Sequence, residues 1–280
     1  MNEPVAQHGV APTLARCAQA GRAALIGYLP VGFPDVATSI AAMQALVEAG
    51  VDVVEVGVPY SDPLMDGPVI QHAVDAALRG GTRVGDAFTA VRGVVEAGAP
   101  ALVMTYWNLV ERRGVEVTAS DLAEAGAAGL ITPDLIPDEA QEWVTASDAH
   151  GLDRVFLVAP SSTDARLRST AQACRGFVYA ASTMGVTGVR TEVGSAAHDL
   201  VDRTRAVTDV PVCVGLGVST AQQAAEVASF ADGVIVGSAL VRCLADATSR
   251  SEGLAALARL ARELADGVAS ASRTPRGASC

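Results

Sequence analysis

The sequence predicts a single-domain α/β fold, a (β/α)8 barrel, on three observations. Short apolar runs alternate with helically spaced stretches along 280 residues, a length that suits one barrel of about 250 residues plus ends. The helix-to-strand junctions repeat: Glu48-Ala49-Gly50, Glu96-Ala97-Gly98 and Glu124-Ala125-Gly126 each precede an apolar run, with Phe230-Ala231-Asp232-Gly233 a weaker fourth copy. In each, a helix ends at glycine, turns and enters a strand, which implies parallel strands with crossover helices. No G-x-G-x-x-G turn follows the first strand, as it would in an open dinucleotide-binding sheet.

Taken in order, a short helical pattern at 13–20 is expected to cap one barrel end. A first strand at 24–29 stops at Pro30-Val31-Gly32-Phe33-Pro34. Asp35 can cap the next helix, where Val36, Ile40, Met43 and Val47 recur at helical spacing, and Gly50 ends it. Further strands are expected at 51–57, 101–105, 128–132, 154–159, 177–181, 211–215 and 233–236. Ser219 with Gln222 reads as a capping box for the helix after strand seven, and a last helix runs from 253 to 269. The barrel domain is expected over 1–269, with 270–280 a disordered Ser/Arg/Gly-rich tail.

Composition narrows the function. A net charge of −11 argues against nucleic acid or an anionic membrane as partner. Five scattered cysteines without metal-ligand spacing, no h-region and no membrane-length apolar run read as a cytoplasmic protein. His8, His72, His150 and His198 share no metal spacing, so no metal site is expected. All 20 basic residues are arginine. Without lysine, Schiff-base chemistry within this polypeptide and covalent attachment of pyridoxal phosphate are both closed.

The candidate chemistry lies in one stretch, Val53 to Pro68. It starts as an apolar strand in which Val54 and Val56 share one face and Val53, Glu55 and Gly57 the other. With the valines turned to the helices, Glu55 points into the barrel near its top, where such folds carry reactive groups. It is either a working carboxylate or one tied down by hydrogen bonds. Asp62 fits a Ser-Asp-Pro turn. Asp66 precedes Gly67-Pro68 and either favours that helix start or stands rigidly over the barrel mouth as a catalytic group. Three small-residue loops, 184–188, 215–219 and Gly237-Ser238, read as a phosphate cradle of backbone N–H groups with the Ser238 hydroxyl. The segment 181–194 is either a mobile lid or only a long surface loop beside that cradle. Tyr28, Tyr106-Trp107-Asn108 and Tyr179 either line a pocket or pack its rim; Asp134 binds a ligand hydroxyl or caps the helix near Pro137.

The run from Val53 to Gln71, Met184 to Gly188, Gly215-Leu216-Gly217 and Gly237-Ser238-Ala239 together closely resemble the tryptophan synthase alpha chain family, from about Ala24 to Leu264. The resemblance implies an enzyme that cleaves indole-3-glycerol phosphate to indole and glyceraldehyde 3-phosphate. It also implies a beta-chain partner, in an alpha2-beta2 assembly, that condenses the indole with serine. It makes Glu55 and Asp66 the catalytic carboxylates, assigns the phosphate to Gly188, Gly217, Gly237 and Ser238, and makes Thr187 the lid threonine that supports Asp66. Tyr28, Tyr106, Asp134 and Tyr179 fall where the family lines its indole pocket. Thr183 and Pro30 depart from some members, which carry arginine and threonine there.

Retro-aldol cleavage commonly uses a lysine or a zinc ion, and this chain has no lysine and no visible metal site. An indole removes the need, because protonating its C3 makes an indolenine that accepts the electrons of the broken bond. Glu55, its pKa raised in an apolar barrel, is expected to move the protons. Asp66, wetter and ionised, is expected to hold the indole N–H. A phosphosugar isomerase or synthase on the same barrel and a phosphate-sensing subunit without turnover are the rival readings.

Overall fold

The computed structural model describes residues 9–181 and 195–272. Its elements run α1 (Ala11–Gln19), β1 (Ala24–Pro30), α2 (Val36–Glu48), β2 (Val53–Gly57), α3 (Pro68–Arg79), α4 (Val84–Glu96), β3 (Ala101–Met104), α5 (Trp107–Arg113), α6 (Val115–Ala125) and β4 (Gly129–Ile131). After a 3-10 turn at Pro137–Glu139 come α7 (Gln141–Ala149), β5 (Asp153–Val155), β6 (Leu157–Val158), α8 (Asp164–Ala173), β7 (Val178–Ala181) and α9 (Ser195–Arg205). β8 (Val212–Gly215), α10 (Ala221–Phe230), β9 (Gly233–Val236), α11 (Ser238–Ala245) and α12 (Arg250–Ser270) complete it.

The strands are parallel, in the order β5-β4-β3-β2-β1-β9-β8-β7-β6. β5 and β6 stand at the two edges of that order, yet only Phe156 separates them in the chain. They are two halves of one barrel strand, the first paired to β4 and the second to β7, so the sheet closes and the predicted eight units hold. Two apolar layers follow from the alternation. Val54, Val56 and their counterparts pack under the helices, while Ile26, Val53, Leu102, Ile131, Val155, Phe177, Cys213 and Ile235 fill the barrel interior. Val10, Leu14 and Cys17, in and beside α1, join the interior layer, so the N-terminal helix plugs one end as expected.

Local chemistry explains the element ends. Asp35 caps α2 by accepting the Thr38 N–H at 2.8 Å. Gly50, Gly98 and Gly126 sit at φ 100°, 100° and 80°, a backbone that L side chains rarely adopt. The fourth copy differs: α10 ends at Phe230, Ala231 is extended, and Gly233 is already in β9. A side chain there would press on Cys213 of the next strand, so packing rather than a turn requires that glycine. The capping box after β8 lies one residue on. Thr220 accepts the Gln223 N–H at 3.2 Å, and the Gln223 side chain accepts from the Ser219 N–H at 2.9 Å. At the chain end, Ser270 is still helical, and 273–280 lie outside the described residues.

Three aspartates staple the plugged end by accepting from backbone N–H groups of neighbouring segments. Asp52 takes Leu25 at 2.9 Å, Asp153 takes Val10 at 2.8 Å, and Asp232 takes Val212 at 2.9 Å. Arg22 and Arg205 pair with the first and third, and Arg175 stands 3.7 Å from Asp153. Asp153 is buried and anchors the plug. Asp153→Ala strands the buried Val10 N–H and is expected to cost about 2–4 kcal/mol, read as a lower urea midpoint with an unchanged slope.

Candidate active site

Glu55 lies inside the barrel, fully buried, level with Tyr28 of β1 and Leu102 of β3. Neither carboxylate oxygen meets a hydrogen-bond partner among the described residues. Among the described residues nothing ties the carboxyl down, and a buried acid without a partner costs stability. Burial pushes its pKa up to about 8.

Asp66 stands in the loop after β2, half-buried beside Gly67, which precedes Pro68 at the first position of α3. The N-cap position there is Gly67, which has no side chain to cap the helix. Burial raises its pKa to about 6, higher than the wetter setting expected from sequence. It still ionises below Glu55, which favours one charged and one protonated carboxylate near neutrality. The loop is held from both sides. The Tyr106 hydroxyl accepts the N–H groups of Leu64 at 2.9 Å and Met65 at 3.3 Å, and the Gln71 amide donates to the Asp66 carbonyl at 2.7 Å.

Two tyrosines lie within electrostatic reach of both carboxylates. Burial drives the Tyr28 phenol well above its ordinary value, with the charges of Asp66 and Glu55 acting in the same direction. Tyr179 shows the same response, first to burial and then to Glu55, so all four groups share one field. Glycine makes room for both rings. A methyl on Gly57 would stand 2.5 Å from the Tyr28 hydroxyl, and one on Gly215 would stand 2.6 Å from that of Tyr179. Each glycine ends the strand next to its tyrosine's strand. Gly57→Ala must displace Tyr28; it is expected to keep the fold and lower kcat/KM about 10- to 100-fold in a steady-state assay.

Two of the small-residue loops are described. Gly237 is the N-cap of α11, and no side chain caps that helix start. Gly217, at φ 70° in the loop after β8, has open space around its Cα. Gly188, Thr187, Thr183 and most of the lid segment lie outside the described residues. Asp134 is exposed, and both its oxygens accept the Trp107 N–H, at 3.0 and 3.1 Å. It caps α5, the helix after β3, rather than a helix of its own unit. Pro30 closes β1 beside Gly57.

Sequence reasoning missed Tyr60, which stacks on Tyr106 at 4.7 Å between ring centres, and it gave Gln71 no role. A groove of about 470 Å³ beside the loop, walled by Tyr60, Pro63, Pro68, Gln71 and His72 among others, takes no wall from Glu55 or Asp66. Among the described residues, no group of His, Cys, Asp and Glu is placed to hold a metal ion, and no helix is long and apolar enough to cross a membrane.

The family model for the tryptophan synthase alpha chain matches residues 14–269. The chain belongs to the tryptophan synthase alpha chain family. The alpha chain of Mycobacterium marinum is 64% identical over 257 residues, covering 92% of this chain and 93% of its own. A solved structure of Mycobacterium tuberculosis tryptophan synthase superposes with a TM-score of 0.87 at 61% identity, over 92% of this chain and 97% of that one. A chain of the tryptophan synthase complex from Pyrococcus furiosus keeps the fold at 31% identity, with a TM-score of 0.79 over 87% and 98%. As a tryptophan synthase alpha chain, it is the carbon–carbon lyase that releases indole and glyceraldehyde 3-phosphate from indole-3-glycerol phosphate. That membership replaces the isomerase and sensor readings.

Proposed function

We propose that Glu55 and Asp66 carry out this cleavage without covalent help, in one barrel domain of a cytoplasmic protein. The observation that supports it most is a fully buried, unpartnered Glu55 held protonated near neutral pH beside a group that is ionised there. The Glu55 acid protonates indole C3, and the Asp66 carboxylate accepts the indole N–H and steadies the positive charge on nitrogen. Glu55, now a carboxylate, removes the hydroxyl proton from the glycerol carbon next to the ring. The C–C bond breaks, its electrons return to the indole, and the carbonyl of glyceraldehyde 3-phosphate forms. Glu55 ends protonated as it began. The phosphate is taken by the Gly217 loop and the Gly237-Ser238 helix start, with Gly188 added from the lid and Thr187 supporting Asp66.

The chain works with the tryptophan synthase beta chain, and we take the assembly to be alpha2-beta2. Indole release from indole-3-glycerol phosphate, followed with and without a beta chain, tests the reading. Release by the isolated chain, faster with the partner, is expected; no indole in either case overturns it.

A further inference from the structure

We infer that Tyr106 is a positioning residue for the reaction, its phenol oxygen serving as the fixed point from which the Asp66 loop hangs. This rests on the reading of Asp66 as a catalytic group. The loop is short of anchors of its own: Leu64 is 77% exposed and Met65 37%, so neither side chain fastens it to the core. Its backbone is fastened instead, by two successive N–H groups that converge on one oxygen at 2.9 and 3.3 Å. Those N–H groups belong to the two residues before Asp66, so a shift at either is passed along the backbone to the carboxylate one or two residues on.

Tyr106 is suited to the task. It lies two residues past β3, is 6% exposed, and its ring is clamped against Tyr60, an early residue of the same loop. The ring thus holds the early part of the loop by stacking on Tyr60, and the hydroxyl holds its later part by hydrogen bonds. The Asp134 cap on the Trp107 N–H fixes the backbone one residue on. With both lone pairs occupied, the phenol proton points away from the two N–H donors, and the Asp66 charge is felt at this phenol. Gln71, donating to the Asp66 carbonyl, completes the hold from the α3 side.

Tyr106→Phe keeps the ring and its stacking and removes only the acceptor. With indole-3-glycerol phosphate as substrate, we expect kcat to fall about 10- to 100-fold with KM little changed. A freed loop also solvates Asp66, so the acid limb of the kcat/KM profile moves to lower pH, which a loss of overall stability does not do. Amide exchange should speed up at Leu64 and Met65. Gln71→Ala, an exposed change that leaves the core intact, should move the same limb the same way. In the Asp66→Asn background, Tyr106→Phe should add nothing, because it acts through that carboxylate. An equal further loss there would mean that Tyr106 acts on substrate directly and would overturn the inference. So would a wild-type profile in Tyr106→Phe while Asp66→Asn is inactive. Full activity of Asp66→Asn would instead defeat the reading of Asp66 itself.

Discussion

Glu55→Gln is expected to lower indole release by roughly 10³-fold, the range that general acid–base catalysis supplies, and to do so in kcat. Glutamine matches the acid in shape, so the substrate still enters, but it can neither give a proton to C3 nor take one from the hydroxyl. The same change removes the alkaline limb of the wild-type kcat/KM profile, which falls at about 8, where free Glu55 loses its proton. Stability supplies a second, independent reading. Glu55 binds its proton more tightly folded than unfolded, so the native state is favoured at low pH. That advantage erodes as pH rises above the ordinary carboxylate value of 4.5 and is gone above about 8. At pH 7 the burden is roughly 3 kcal/mol. Thermal melts at pH 5 and pH 8 should therefore differ more for the wild type than for Glu55→Gln. Equal slopes, or turnover within tenfold of the wild type, would remove Glu55 from the mechanism.

Glu55 was legible because a strand has a period of two: one glutamate among valines, on the face away from the helices, can only point inward. The helix ends at Gly50, Gly98 and Gly126 were legible for a similar local reason, since each turn needs a backbone that only glycine takes readily. Gly233 looked like a fourth case because spacing does not reveal that Cys213 of the neighbouring strand fills the space. Contacts between loops were the least legible. Tyr106 lies 42 residues from the Leu64 N–H that it accepts, and Asp134 lies 27 residues from the Trp107 N–H that it caps. No periodicity links such pairs; barrel closure brings them together. The family resemblance supplied what local patterns could not, the role of Asp66. The structure adds why that aspartate keeps its place, and why its pKa sits higher than a solvated loop would set it.

Asp66→Asn separates two things that this side chain does. The asparagine carbonyl can still accept the indole N–H, so substrate binding, and with it KM, should change little. The negative charge is lost, and with it the stabilisation of a positive nitrogen that exists only after C3 is protonated. An interaction made only on the way to the indolenine appears in kcat, and the loss expected is about 10²- to 10³-fold, the scale found when one electrostatic group is taken from a preorganised site. The pH profile then distinguishes the two carboxylates. Wild-type kcat/KM should fall on the acid side near 6, as Asp66 takes a proton, and on the alkaline side near 8, as Glu55 loses one. Asp66→Asn should abolish the acid limb and leave the alkaline one in its residual activity, the mirror image of Glu55→Gln. An acid limb that survives in Asp66→Asn would belong to another group. In that case the charge at the barrel mouth would not be the one that carries the indolenine.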